Sequence, residues 1–341
     1  MGIKNLNSLI SNHTKNAKFV KHLSHFSGKI FAIDTYVYLY KFLYGKNNHI
    51  NGLFFMINKL KKFNITPIFI FDGKPPAEKN ETLQMRREIK NKLKSRLDNL
   101  KIKIEETSNI DLIKEIQFQI EKIEKRIIYI NKEIIDKSKR LLDLMGIMYI
   151  NADCEAEHYC SKLCKLNIVD GVISEDMDTV ACGSKIVLRN YSNRSDSIEC
   201  IYTRKVILDL NINYKSFVDL CILLGTDYNP RPNKISITDI IGMIQKYKKI
   251  ENLIENNLLN GWNCNFNDIR NLIYLDKIQI NKNELLAQVD KNVNLPELKL
   301  FLKKESKIEK KIYLKRINLI YFCNTFNNYK ILNNLKLKLS N

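Results

Sequence analysis

Four short apolar runs in this chain each end in a carboxylate: GKIFAID (28–34), ITPIFIFDG (65–73), MGIMYINAD (145–153) and VDGVISED (169–176). Short runs of β-branched and other apolar residues bounded by Gly, Pro or Asp read as buried strands. Between the first two, LFFMINKLKKF repeats its apolar residues at three and four, as an amphipathic helix does. Strands alternating with helices give an α/β fold, a central and mostly parallel sheet flanked by helices. In such a sheet the strand C-termini share one edge, and ligands bind there. Four strand ends are thus expected to bring Asp34, Asp72, Glu155 with Glu157, and Asp176 with Asp178 to one place.

One acid after one strand is ordinarily the cap of the next helix. Capping accounts for a single acid per junction and gives no reason for the second acid in EAE (155–157) and DMD (176–178). Carboxylates gathered without a counter-charge repel one another and resist ionising, so something positive belongs among them. Divalent ions suit the place, because Mg²⁺ prefers carboxylate oxygens. Two such ions about 4 Å apart hold both the attacking and the leaving oxygen of a phosphodiester.

The formal net charge of +19 points to a polyanionic partner, nucleic acid first and an anionic membrane surface second. No uncharged apolar run reaches the roughly 20 residues that a bilayer span needs, so no membrane association is expected. The first residues, MGIKNLNSLI, lack the apolar region of a signal peptide, and Leu6 stands where a myristoylation motif wants Ser or Thr. An intracellular chain is expected, in the nucleus, the cytoplasm or, for a viral protein, the virus factory. The eight cysteines include no C-x-x-C pair, which favours free buried thiols. Cys154, His158, Cys160 and Cys164 offer soft ligands to zinc, but on one helix they point at least two ways and cannot close a tetrahedron alone.

Residues 78–140 contain neither Gly nor Pro, and Ile113, Ile116, Ile120, Ile123 and Ile127 run at helical spacing. A solvated helical hairpin or coiled coil accounts for this segment. Its first part nevertheless carries Lys79, Arg86, Arg87, Lys90, Lys92, Lys94 and Arg96 directly after an acidic strand end. Beyond residue 203 helices take over. FVDLCILLGTDYNP (217–230) is an apolar helix closed by Gly225 with Asp227 outside it, and TDIIGMIQKYKKI (238–250) is the next helix. Helix, turn and helix form a unit whose turn amides suit a phosphate. The expected units are 1–77, the first part of an α/β core; 78–140, a helical insert; 141–255, the rest of the core with the helix-turn-helix; and 256–341, a helical C-terminal region.

MGIKNL, AIDTYVYLYKFL, FIFDGKPP, CEAEHYC, SEDMDTVACGS and FVDLCILLGTDYN stand in the order of the motifs of the flap endonuclease and XPG family. Over about residues 1–255 the chain resembles these structure-specific 5′ nucleases. The resemblance implies a PIN-like nuclease core with a helical arch and a helix-two-turn-helix region. It implies two Mg²⁺ or Mn²⁺ ions on Asp34, Asp72, Glu155, Glu157, Asp176, Asp178 and Asp227, and a metal-activated water as nucleophile. The products would carry 5′ phosphate and 3′ hydroxyl, in DNA replication, repair or recombination. Lys79 and Arg86 lie where the family places two basic residues against the scissile phosphate. Tyr40 matches an aromatic on which a base stacks, and otherwise packs in its own helix. Gly2 matches an N-terminal glycine near the DNA, and Arg87 extends the basic start of the arch.

The chain also departs from the family pattern. From Asp34 to Asp72 it is shorter than the eukaryotic flap enzymes, where the extra part helps form the wedge and 3′-flap pocket. The family's G-I-G hairpin aligns with Lys234, Ile235 and Ser236. Without glycine, easy access to positive φ is expected to be lost, and Arg231 and Lys234 are expected to supply charge contacts instead. No sliding-clamp box of the Q-x-x-[LIM]-x-x-[FY]-[FY] kind ends the sequence. A nuclease cutting DNA near junctions of single strand and duplex is the leading reading. A 5′ exonuclease, a junction resolvase or an RNA-cleaving relative on the same core is the alternative among enzymes. A non-catalytic nucleic-acid-binding protein is the alternative outside them.

Overall fold

The computed structural model describes residues 2–44, 48–289, 291–306, 311–314 and 316. The remainder of the expected C-terminal region, from 317 to 341, lies outside the described residues. Seven strands form one sheet: β1 (Lys18–His22), β2 (Ile30–Asp34), β3 (Thr66–Phe71), β4 (Tyr149–Asn151), β5 (Gly171–Ile173), β6 (Ile186–Arg189) and β7 (Ser197–Tyr202), in the order β1-β7-β6-β5-β2-β3-β4. The run from β6 to β4 is parallel, and β7 and β1 continue it antiparallel at one edge. The sheet is therefore mixed, as α/β sheets with an antiparallel edge commonly are.

Among the described residues fifteen α-helices, with two short 3₁₀ turns at Leu23–Phe26 and Ala77–Lys79, surround or extend the sheet. The first eight are α1 (Leu6–His13), α2 (Thr35–Leu43), α3 (His49–Lys62), α4 (Asn80–Glu106), α5 (Ile110–Glu124), α6 (Lys132–Leu144), α7 (Ala156–Lys165) and α8 (Asp178–Ala181). The remainder are α9 (Thr203–Asp209), α10 (Tyr214–Leu224), α11 (Ile237–Tyr247), α12 (Ile250–Glu255), α13 (Phe266–Tyr274), α14 (Lys282–Val289) and α15 (Leu295–Glu305).

Alternation along β2 explains the layers. Phe31 and Ile33 point to one face and pack with α3 and α6, while Ile30 and Ala32 point to the other and pack with α7. Both faces are covered, so all five residues of β2 and all six of β3 are buried. A third core joins α10, α11 and α13 to α1 and the β6–β7 side. Register then aligns the strand ends. Asp34 pairs with Ile70, Ile33 with Ile173, and Phe71 with Asn151, so Asp34, Asp72, Glu155 and Asp176 leave the sheet along one edge.

The helical stretch after Pro76 divides in two. α4 and α5 form an antiparallel hairpin around Leu100, Ile116 and Ile123, with little burial elsewhere. α6 instead buries Ser138, Leu141, Leu142 and Leu144 against α3 and the sheet. Leu298 and Leu302 of α15 join that same core. Among the described residues no helix is long and apolar enough to cross a membrane.

Candidate active site

Asp34 is the last residue of β2 and caps α2, accepting the Val37 N–H at 3.4 Å, while the Ser174 hydroxyl donates to its other oxygen at 2.9 Å. Asp72 follows β3 and accepts the Ala156 N–H at the start of α7 (2.7 Å). Glu155 caps that helix and Glu157 stands in its first turn. After β5, the Asp176 N–H donates to Ser174 Oγ and the Asp178 N–H to Asp176 Oδ1, both at 3.0 Å. The Ile3 N–H donates to Asp178 Oδ1 at 2.8 Å, which brings the N-terminal segment against the acids. Gly2 there has φ 84°, and a Cβ on it would fall 1.9 Å from Asp176 Oδ1, so only glycine allows the approach. Asp227 arrives from the turn after α10, where Gly225 takes φ 88° and ends the helix.

These elements line a cleft of ≈ 620 Å³ whose walls include Asp34, Asp72, Glu155, Glu157, Asp176 and Asp227, within the roughly 300 to 1,000 Å³ of ligand-binding clefts. One oxygen each of Glu157, Asp176 and Asp178 lies within 4.8 Å of the others. α4 roofs the cleft with Arg86, Arg87 and Lys90, and Arg126 follows α5.

Burial dominates the electrostatics. It lifts Asp34 to about 8, with Asp72 adding to the effect, and lifts Asp72 itself to about 6. Burial followed by repulsion from Asp176 holds Glu157 and Asp178 well above the usual carboxylate range, and burial raises Asp176. Lys79 is only 6% exposed. Burial opposes its charge, yet Glu157 and Glu155 outweigh it and hold the ammonium above its ordinary range. Its Nζ ion-pairs with Glu155 and lies 3.7 Å from Glu157 and 3.6 Å from Asp227. Arg86 donates to Asp227 at 2.7 Å, and the Tyr228 hydroxyl to Glu155 at 3.0 Å. A buried all-oxygen set that resists ionising alone fits a hard divalent cation.

The XPG N-terminal domain model matches residues 1–93, and the XPG I-region model matches residues 146–227. The two stretches carry all seven carboxylates. Flap endonuclease 1 of Entamoeba histolytica is 34% identical over 273 residues, covering 75% of this chain and 70% of that protein. The chain belongs to the flap endonuclease and XPG family. It is a nuclease of a metal-dependent family. Among solved structures, flap endonuclease-1 from Methanococcus jannaschii is similar at a TM-score of 0.66 and 25% identity, covering 92% of this chain and 98% of the other. The catalytic core of Rad2 in complex with DNA substrate shares the fold at a TM-score of 0.63 and 20% identity, covering 94% and 100%.

The structure brings Asp34, Asp72, Glu155, Glu157, Asp176, Asp178, Asp227, Lys79 and Arg86 together, with Tyr40 and Arg87 on the cleft wall and Gly2 beside Asp176. The Tyr40 ring is half-buried, with the Lys90 ammonium 5.7 Å from its centroid. Arg231 lies apart, donating to the Ile235 carbonyl, and Lys234 is exposed in the same turn. One expectation is corrected here: Lys234 takes φ 62° without being glycine. Ser236 closes that turn as the cap of α11, in a capping box with Asp239. Among the described residues Cys154, His158, Cys160 and Cys164 form no group of three ligands. The seven described cysteines are free, and burial lowers His158 to about 4, leaving it neutral.

Sequence reasoning missed Ser174, Thr82 and Tyr228. The Thr82 hydroxyl donates to the Asp227 carbonyl at 2.6 Å. Ser174 was findable as the polar residue that follows β5 before the acidic pair, and Tyr228 as the neighbour of Asp227.

Proposed function

We propose that this nuclease cleaves DNA near junctions of single strand and duplex, in the manner of a 5′ flap, leaving 5′ phosphate and 3′ hydroxyl. The observation that carries this reading is the convergence of the seven carboxylates under a hairpin whose first turns present cations to them. The fold shared with Rad2 solved on DNA substrate supports DNA as the substrate. Asp34, Asp72, Glu155, Glu157, Asp176, Asp178 and Asp227 would hold two Mg²⁺ or Mn²⁺ ions, which when bound neutralise phosphate charge and acidify an attacking water.

The chain's own residues do the rest. Lys79 and Arg86 stand at the hairpin base and donate to the scissile phosphate, where preorganised donors stabilise charge developing in the transition state. Tyr40 offers a ring for a base near the cut, a contact worth roughly 1 to 3 kcal/mol. Gly2 keeps side-chain bulk away from Asp176. The hairpin within 78–140 divides the core formed by 1–77 and 141–255, and acts as the arch that admits single strand and excludes duplex. Among the described residues from 256, Leu285 packs with α7, and Leu298 and Leu302 of α15 pack with α3 and α6.

Replacing Asp176 or Asp178 with Ala tests the assignment. Cleavage of a 5′-flap substrate in Mg²⁺ is expected to fall by at least about a thousandfold, while DNA binding by anisotropy stays within a few-fold. Unchanged cleavage removes these acids from the site. Running nicked, four-way and RNA substrates in parallel separates flap cleavage from the exonuclease, resolvase and RNA-cleaving alternatives.

A further inference from the structure

Three side chains at the hairpin base reach the acidic residues, two of them at carboxylates and one at a backbone carbonyl. Lys79 touches Glu155, Glu157 and Asp227, Thr82 holds the Asp227 carbonyl, and Arg86 pairs with the Asp227 carboxylate. Lys79 is the residue that caps α4, and Thr82 and Arg86, four apart, follow on one face of that helix. The opposite side of the cleft differs. Among the described residues no Lys or Arg side chain forms an ion pair with Asp34, Asp72, Asp176 or Asp178, which are held by N–H and hydroxyl donors. Positive charge from the hairpin thus sits on one half of the carboxylate set.

We infer that Lys79 is the resident counter-ion of the ion-free enzyme, competing for Glu155, Glu157 and Asp227 with one of the two divalent ions. The inference rests on the metal reading proposed above. A Lys ammonium is a compact point charge on a flexible stem, so it can fill a cation's place and leave it. A divalent ion approaching the same oxygens meets a like charge, so that ion binds weakly while Lys79 stays. The first ion enters from the side of Asp176 and Asp178, which among the described residues have no Lys or Arg within ion-pairing distance, although Lys79 acts on them from farther off. A phosphodiester entering the cleft offers Lys79 and Arg86 a different anion and draws both off the carboxylates. DNA and the weaker ion then favour each other, and by linkage the effect runs equally in both directions. Catalytic and regulatory roles of Lys79 therefore pull against each other: its charge helps at the phosphate and hinders ion loading without it.

A Mn²⁺ titration of the DNA-free protein, read by electron paramagnetic resonance of the free ion, tests this without any cleavage. The wild type is expected to bind two equivalents whose affinities differ by at least tenfold. In Lys79→Met the weaker equivalent is expected to tighten by at least tenfold while the tighter one moves less than threefold. A merely structural lysine would leave both unchanged or weaken them, and that result overturns the inference. Arg86→Gln, which removes a half-exposed charge and leaves Lys79 in place, is expected to tighten the weaker equivalent about threefold. Should Lys79→Met fail the circular-dichroism check of folding, an unchanged Arg86→Gln titration overturns the inference. If neither protein binds Mn²⁺ above the Asp176→Ala control, the metal reading itself falls. If the wild type binds two ions and the Lys79 variant binds them identically, only the counter-ion role falls.

Discussion

The floor and the roof of the cleft are built differently. The floor is the carboxyl edge of a sheet buried on both faces, where β2 and β3 have no exposed residue. The roof is α4 and α5, long helices whose shared core has three buried side chains, Leu100, Ile116 and Ile123, fringed by half-buried Leu93, Leu97, Ile104, Ile120 and Ile127. Polar contacts of Lys79, Thr82 and Arg86 tie roof to floor. Groups that must hold a fixed geometry stand on the rigid layer, and groups that must meet and release a long strand stand on the loosely anchored one. Elements that open are drawn from the parts of a fold with few buried contacts.

The sharpest way to break this division is to take the charge off the roof. Lys79→Ala and Arg86→Ala are each expected to lower single-turnover cleavage by about a hundredfold while changing DNA affinity less than about tenfold, as for contacts made chiefly in the transition state. Rapid-quench kinetics beside anisotropy separates the two quantities. If affinity alone changes, the roof only holds DNA, and the chemistry belongs wholly to the floor.

A smaller effect probes the difference in packing. Ile123→Ala leaves a cavity in a three-residue core, so it is expected to loosen the hairpin alone: proteolytic nicking within 80–131 rises at least about tenfold while the global midpoint moves less than about 2 °C. Leu141→Ala on α6 strikes the main core, fully buried, and is expected to cost about 2 to 5 kcal/mol of global stability. Equal shifts in global midpoint for both would show that hairpin and core unfold as one unit.

How much of this was legible before the structure follows from the same contrast. The floor was readable because β2, β3 and β5 are apolar runs closed by acids, and the doublets 155–157 and 176–178 exceed what capping needs. The antiparallel edge was not. β1 carries Lys18, Lys21 and His22 and leaves Val20 71% exposed, so its composition reads as surface. β6 is four residues long, too short for period-two alternation to stand out. The hairpin was readable from its isoleucine spacing, but nothing in the pattern separates α6, which has the same Lys-rich composition and yet packs on α3. Lys234 escaped because the cost of a left-handed residue, roughly 1 to 2 kcal/mol, is small enough for a surrounding turn to impose. Here the Arg231 guanidinium binds the Ile235 carbonyl and Ser236 starts α11, so both flanks of Lys234 are held.

The smallest expected effect titrates the floor itself. In the ion-free protein burial lifts Asp34 from its ordinary 3.8 to about 8, and Asp72 from 3.8 to about 6. Between those limits the folded state binds more protons than the unfolded state, so stability falls as pH rises. The contribution is fully present below about pH 4 and is lost as pH passes 6 for Asp72 and 8 for Asp34. The melting midpoint in EDTA is therefore expected to drop by about 5 °C from pH 5.5 to pH 8.5. Asp34→Asn removes one of these titrating groups and is expected to flatten part of the slope, the other raised carboxylates, Asp72, Glu157, Asp176 and Asp178, keeping the rest. Saturating Mg²⁺ is expected to flatten it as well, because an ion that binds the charged carboxylates takes the place of the protons. A slope unchanged by Asp34→Asn would place the titration elsewhere and leave the floor without its buried acid.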